Sequence, residues 1–273
     1  TIILLLGAFV AGLLGSLTGL GGGVVVIPLL TLLFHVDIRY AIGAALLASI
    51  ATSSGAATAY VKEGITNIRL GMFLEIATTA GAIVGALVSG MLNPNTIGII
   101  FASILLLTVI LNLKGKPDHQ EPLIKGSLED KLKLYGTFPD KGIVKSYAAR
   151  NTIPGFFMMM FAGAMSGLLG IGSGALKVLA MDNMMRLPFK VSTTTSNFMI
   201  GVTAVASSLI YFQRGEIIPV IVAPVLVGVV VGSFIGSKTL MVSKTKKLKT
   251  FFAIVITILS VYMMYNGIRS NFS

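Results

Sequence analysis

Shifted by 151 positions, the chain matches itself. The shift lays "GSLTGLGGGVVVIPLL" (residues 15–30) on "SGLLGIGSGALKVLAM" (166–181), carrying Gly19, Gly21 and Gly23 onto Gly170, Gly172 and Gly174. Without a gap it carries Arg39 onto Lys190, Thr52 onto Thr203, Tyr60 onto Tyr211 and Gly64 onto Gly215. Gly12 falls on Gly163 upstream, and Gly81 and Gly85 fall on Gly232 and Gly236 downstream. Glycine matches come easily in a chain with 31 glycines, but cationic, tyrosine and glycine landmarks in one register do not. The chain is read as a duplication, so its fold must be buildable twice from one plan.

The repeated unit is mostly hydrocarbon. Hydrophobic residues make up 55% of the 273 and charged residues 11%, against about 25% charged in a usual soluble domain. Apolar stretches at 41–61, 70–91, 96–113, 191–212, 217–236 and 251–265 are the candidate spans. Several reach the ~20 residues that cross a ~30 Å hydrocarbon core. The segments of alternating polarity that mark a transmembrane β-barrel are absent. The expectation is an all-α polytopic membrane protein. The opening "TIILLLGAF" has no positive n-region and is not read as a signal peptide.

A net charge of +11 would suit nucleic acid if it formed one patch, but it sits in loops. Lys114, Lys116, Lys125, Lys131, Lys133, Lys141, Lys145 and Arg150 lie in a central polar segment. Lys238, Lys244, Lys246, Lys247 and Lys249 lie in a later connection. Such clusters beside membrane spans signal orientation, with the basic loops cytoplasmic. There is no cysteine, and His35 and His119 are too far apart to suggest a metal site. No cofactor, metal or nucleic-acid partner is expected.

The organisation expected is a first membrane repeat at 1–113, a charged cytoplasmic linker at 114–150 and a second repeat at 151–273. The linker mixes both charge signs with Pro117, Pro122 and Pro139. It has room for a short helix at 128–134 but is too small and polar for a core of its own. If the linker and the later lysine cluster are both cytoplasmic, the chain between them crosses an even number of times. The spans at 191–212 and 217–236 supply two crossings, so residues 153–186 cross either not at all or twice. Beyond Gly23 and Gly174 only about a dozen residues remain before His35 and Arg186, roughly half a bilayer core of helix. Each half is thus predicted to hold a glycine-broken helical segment, re-entrant or a pair of short crossings, followed by three transmembrane helices. The halves would have inverted topology. The uncharged "NPN" at 93–95 opposite a lysine cluster in its repeat fits that inversion.

Glycines in an apolar helix have two readings. Gly15, Gly19 and Gly23 have the small-xxx-small spacing of close helix packing. Gly21 and Gly22 fall off that face, which favours a break. Non-helical backbone at membrane depth must be buried or line a cavity, and a half-helix beginning there offers free N–H groups to an anion. Candidate substrate-binding residues are therefore Thr18, Gly21, Gly22 and Gly23 at the first break, and Gly172, Ser173 and Gly174 at the second. Lys177, one turn on, either supplies charge to an anion, snorkels to the interface or pairs with Asp182. Thr52 and Ser53, with Ser196 and Asn197 in "TTTSN", would form a pocket wall, although such hydroxyls often only bond their own helix. Glu75, near the start of its span, is read as interfacial.

The first segment "GLLGSLTGLGGGVVVIPLL", its repeat "GAMSGLLGIGSGALKVLAM" and the charged loop between four-segment halves resemble the TauE/SafE sulfite exporter family of membrane permeases. The resemblance implies transport of sulfur-containing anions such as sulfite, sulfonates or sulfoacetate across a cell (inner) membrane. Ser173 stands where the first cluster has glycine, so the two breaks differ. The expected function is a secondary transporter working by alternating access, not an enzyme. A passive anion channel is the alternative, and an intramembrane enzyme would lack an embedded nucleophile with a base. The anion, a coupling proton carried on Glu75 or Asp182, and a homodimer are the partners left open.

Overall fold

The computed structural model describes residues 2–18, 21–62, 64–113, 126–140, 143–172, 174–242, 254, 257–258 and 260–265, most of them helical. The first half comprises α1 (Ile2–Thr18), α2 (Gly23–Pro28) running into a π turn (Leu29–Leu33), α3 (Ile38–Lys62), α4 (Ile68–Ser89) and α5 (Pro94–Leu113). Then come α6 (Leu128–Lys131) and the strands β1 (Tyr135–Asp140) and β2 (Ile143–Ala148). The second half holds α7 (Thr152–Leu169), α8 (Gly174–Leu179) with its π turn (Ala180–Met184), α9 (Phe189–Gln213) and α10 (Pro219–Val242). Local chemistry sets the helix starts. Pro94 and Pro219 open α5 and α10, where a missing N–H is harmless. The Asn67 side chain caps α4 by accepting from the Leu70 N–H at 3.0 Å.

The 151-residue register reappears in the backbone. Both ends of α2, of its π turn and of α3 correspond in that register to those of α8, the second π turn and α9. Left-handed residues pair likewise: Gly21 with Gly172 (φ 81° and 65°), His35 with Arg186 (51° and 54°), Gly64 with Gly215 (68° and 73°). The first π turn follows Pro28 and the second follows Leu179, so proline does not cause it.

Each broken segment is a hairpin. A Cβ on Gly15 would lie 2.6 Å from the Gly22 nitrogen, and one on Gly7 would lie 2.7 Å from Leu29 Cδ1. Rising numbers on α1 thus meet falling numbers on α2 and its π turn. In the second half, Asn151 Nδ2 donates to the Met184 carbonyl (3.1 Å) and the Arg150 N–H to that of Met185 (3.0 Å). The returning arm ends where α7 began. In each half the two arms pack antiparallel about the glycines, as both forms left open by the sequence require.

The halves exchange helices: α1 packs on α10, and α4 on α7. A Cβ on Gly81 would run into the Met160 carbonyl, and one on Gly232 into that of Phe9. Gly85 meets the Ala164 carbonyl as Gly236 meets that of Leu13 (2.6 Å). These are the same contacts under the shift, and in both pairs the helices run the same way. At the centre α3 crosses α9 in the opposite sense, with Ser53 against Asn197 and Gly201 while Gly43 reaches the Glu216 carbonyl. A swapped set of identical contacts is the signature of an approximate twofold.

Among the described residues, Ile68–Ser89, Thr152–Leu169, Phe189–Gln213 and Pro219–Ser237 are long and apolar enough to cross a membrane. Their outward faces carry Ile76, Leu87, Leu209, Val227 and Phe234, exposed as a lipid-facing surface requires. Within the linker the short helix forms, but the antiparallel pair β1–β2 was not expected in an all-α chain. Its apolar residues are too few for a core of their own. Leu134, Phe138 and Tyr147 instead join Leu70, Leu74, Met159 and Met181 in one buried cluster. Asn67 Nδ2 donates to the Tyr147 hydroxyl at 3.1 Å, tying the strands to α4. Residues 114–125 and the lysines at 244–249 lie outside the described residues.

Candidate functional site

The tips of the two hairpins meet. A Cβ on Gly23 would stand 2.7 Å from the Gly170 carbonyl oxygen and 2.8 Å from Ser49 Oγ. One on Gly21 would lie 3.4 Å from Ser49 Oγ and 3.5 Å from the Ile171 carbonyl oxygen, and one on Gly172 would lie 2.9 Å from Ile200 Cγ2. Both tips therefore press on the α3–α9 crossing, at Ser49 from one half and its counterpart Ile200 from the other. Only glycine lets two reversing backbones approach this closely, and the left-handed φ at Gly21 and Gly172 adds a second reason.

The polar residues around the tips behave differently from one another. Thr52 sits under Gly22, but its hydroxyl donates to the Ala48 carbonyl of its own helix (2.8 Å). Ser53 ties the crossing together: its Oγ donates to the Asn197 carbonyl (2.5 Å) and accepts from the Gly201 N–H (3.1 Å). Ser196 Oγ donates to the Gly174 carbonyl (3.2 Å), fixing the start of α8. Asn197 is wholly buried, and neither of its side-chain polar atoms, nor Ser49 Oγ, has a partner among the described residues. Buried polar atoms are nearly always satisfied, so these three atoms beside the hairpin tips are candidates for contact with a polar guest.

One turn beyond the second tip, Lys177 has no exposed surface. Its Nζ donates to Thr203 Oγ1 at 2.5 Å, and Thr203 Oγ1 donates to Glu75 Oε1 at 2.5 Å. Thr79 Oγ1 donates to the same carboxylate oxygen at 3.1 Å, while Glu75 Oε2 is buried with no partner among the described residues. An amine and a carboxyl group thus sit in the protein interior, bridged by one hydroxyl.

Most of the residues singled out from the sequence come together here: Gly21, Gly22, Gly23, Gly172, Gly174, Thr52, Ser53, Ser196, Asn197 and Lys177. Ser173 and the side chain of Thr18 lie outside the described residues. One of the readings of Lys177 falls, and the reading of Glu75 changes. Lys177 does not snorkel; burial and the bond to Thr203 hold it inside. Glu75 faces the protein interior: it is 8% exposed, because α7 and α9 pack on the part of α4 that carries it. Thr79 and Ser49 were missed. A lone carboxylate in an otherwise uncharged apolar stretch of α4 was the signal for the first, since such a group needs hydroxyl donors nearby.

A family model described as "Sulfite exporter TauE/SafE" matches residues 4–263. The chain is similar to "Probable membrane transporter protein YunE" of Bacillus subtilis (strain 168), 30% identical over 98% of this chain and 99% of the relative. It is also similar to "Probable membrane transporter protein YdhB" of the same organism, 26% identical over 86% of this chain and 89% of the relative. No solved structure matches.

Proposed function

Since the chain belongs to the TauE/SafE sulfite exporter family of membrane transporters, we propose that it moves small sulfur-containing anions by alternating access as a secondary transporter. The observation that carries this reading is the wholly buried Lys177 beside two touching hairpin tips. An ammonium in a low-dielectric interior is costly unless matched, and Glu75 matches it only through a hydroxyl. A small oxyanion is the guest such a centre suits. It would find the cation, the orphaned Asn197 amide and Ser49 hydroxyl, and the first N–H groups of the returning arms.

Inverted topology completes the proposal. It is favoured by the opposite running of α3 and α9, equivalent helices that a twofold along the membrane normal would leave parallel. Two halves swapping helices about an axis in the membrane plane can rock between mirror-like inward-open and outward-open states. Charge favours a cytoplasmic linker in a cell membrane. The linker end holds Lys131, Lys133, Lys145, Arg150, Arg186 and Lys190 against Glu129, Asp130 and Asp182, while the other end balances Arg39 and Arg214 with Asp37 and Glu216.

The test is a thermal-shift screen of purified protein against sulfite, methanesulfonate, sulfoacetate and matched carboxylates. Stabilisation by the sulfur anions over the carboxylates supports the reading, and stabilisation by none sinks it. Counterflow in proteoliposomes then separates a carrier, which shows trans-stimulation, from a passive channel, which does not.

A further inference from the structure

The geometry points to Glu75 as the group that takes up a proton when the anion binds, with Thr203 as the switch between the two charge states. This rests on the transport reading above and adds to it the coupling ion and its seat.

As the chain stands, Lys177 is balanced by Glu75 through Thr203. An anion arriving at Lys177 would put two negative groups on one buried cation. Burying an unmatched carboxylate is among the costliest things a protein interior can do. A proton taken from solvent onto Glu75 removes the conflict and leaves one cation facing one anion. The carboxylate is arranged for this. Both hydroxyl donors, from Thr203 and Thr79, converge on Oε1, so Oε2 keeps its lone pairs free for the proton. Thr203 has one hydroxyl hydrogen and two acceptors in reach, Glu75 Oε1 at 2.5 Å and the Met199 carbonyl at 3.0 Å. It can bridge ammonium to carboxylate in one state. In the other it turns its hydrogen to Met199 while still accepting from Lys177.

Among the described residues, the ionisable group that shares a hydrogen-bonded hydroxyl with Glu75 is Lys177. Of the elements packed on α4, α7 has no charged side chain, and α9 carries Lys190 at its start and Tyr211 near its far end. The second hairpin's return arm brings Lys177 and, in its π turn, Asp182; the strands bring Tyr147 to Asn67; and Arg69 lies in the first turn of α4 itself. Lys177 is the cation linked to Glu75 through a hydrogen-bonded hydroxyl. The relay also breaks the molecule's approximate symmetry. The counterparts of Lys177, Glu75 and Thr79 in the 151-residue register are Val26, Leu226 and Val230, and only Thr203 keeps its hydroxyl, as Thr52. A twofold frame with a single charged relay predicts one proton per anion, so a monoanion would cross without net charge movement.

The test uses full-length protein in detergent and methanesulfonate, a monoanion at every pH of the experiment. Calorimetry in buffers of differing ionisation enthalpy counts the protons taken up on binding. Expected are about one proton per anion near neutral pH and a Kd that rises ~10-fold per pH unit on the alkaline side. Glu75→Gln, made in a Lys177→Arg background whose guanidinium cannot lose its proton, should bind with no proton uptake and with pH-independent affinity. Glu75→Asp, which keeps the carboxyl, should restore the pH slope if the glutamine variant folds poorly. Binding by the wild-type chain without proton uptake overturns the proposal and leaves the transport reading standing. Proton uptake that persists in the folded Glu75→Gln, Lys177→Arg protein, while Lys177→Arg alone still takes up a proton, overturns it too. Failure of sulfite, methanesulfonate and sulfoacetate alike to bind the wild-type chain overturns both.

Discussion

Gly23 approaches Gly170 so closely that a Cβ on the first would stand 2.7 Å from the carbonyl oxygen of the second. The contact joins the tips of two hairpins that belong to different halves of a duplicated chain. It therefore couples the halves where the orphaned polar groups lie. Any rocking of one half against the other would have to slide or part these backbones.

Gly23→Ala should accordingly cost stability. The new methyl meets backbone oxygen and Ser49 rather than a flexible side-chain end, and overpacking of this kind costs about 1–3 kcal/mol. A lowered melting temperature in detergent, with weakened anion binding in the folded fraction, is the expected result. An unchanged melting temperature would mean that the tips part easily.

Glycines elsewhere in the bundle separate packing from freedom. In α4, a Cβ on Gly85 would collide with the Ala164 carbonyl across the interface with α7, so Gly85→Ala should be strongly destabilising. In α5, a Cβ on Gly98 would meet nothing nearer than Ile38 Cδ1 at 3.7 Å. Gly98→Ala should gain up to ~1 kcal/mol of helix propensity. Melting curves of the two variants under one condition should shift in opposite directions.

The sequence made the duplication legible because Gly81, Gly85, Gly232 and Gly236 are held by identical contacts, and a contact used twice is written twice. The breaks were legible for the same reason, since Gly21 and Gly172 need the same left-handed turn. What occurs once was hidden. Glu75 has Leu226 as its counterpart, so the repeat gave no hint of a role, and position near the start of a span suggested the interface. Its burial depends on α7 and α9 closing over it, a long-range event that no local pattern encodes. The β1–β2 pair escaped notice because its strands are short and polar, and their few apolar residues are buried only against other elements.

Topology has a direct test, because the chain has no cysteine. Asn93 is exposed in the turn before α5, and Lys244 is its counterpart 151 residues on. Single cysteines at the two positions should react with an impermeant maleimide from opposite sides of the membrane. Labelling from the same side would rule out inverted halves.

Lys177 and Glu75 should be worth more as a pair than either is alone. Lys177→Met preserves apolar volume but leaves Glu75 in the interior with only hydroxyl donors. Removing one partner of a buried ion pair typically costs about 3–5 kcal/mol, mostly the penalty of the stranded charge. Here the partners meet through Thr203 rather than directly, so the loss should fall at the lower end. Adding Glu75→Gln to that variant removes the stranded charge, and the double variant should recover most of the lost melting temperature. Binding should not recover with it, because the cation that faces the anion is gone. The cycle of four proteins, measured for stability and for methanesulfonate affinity, separates the two roles. If stability and affinity return together in the double variant, Lys177 serves only to neutralise Glu75, and the anion is held by the tip amides, Asn197 and Ser49 instead.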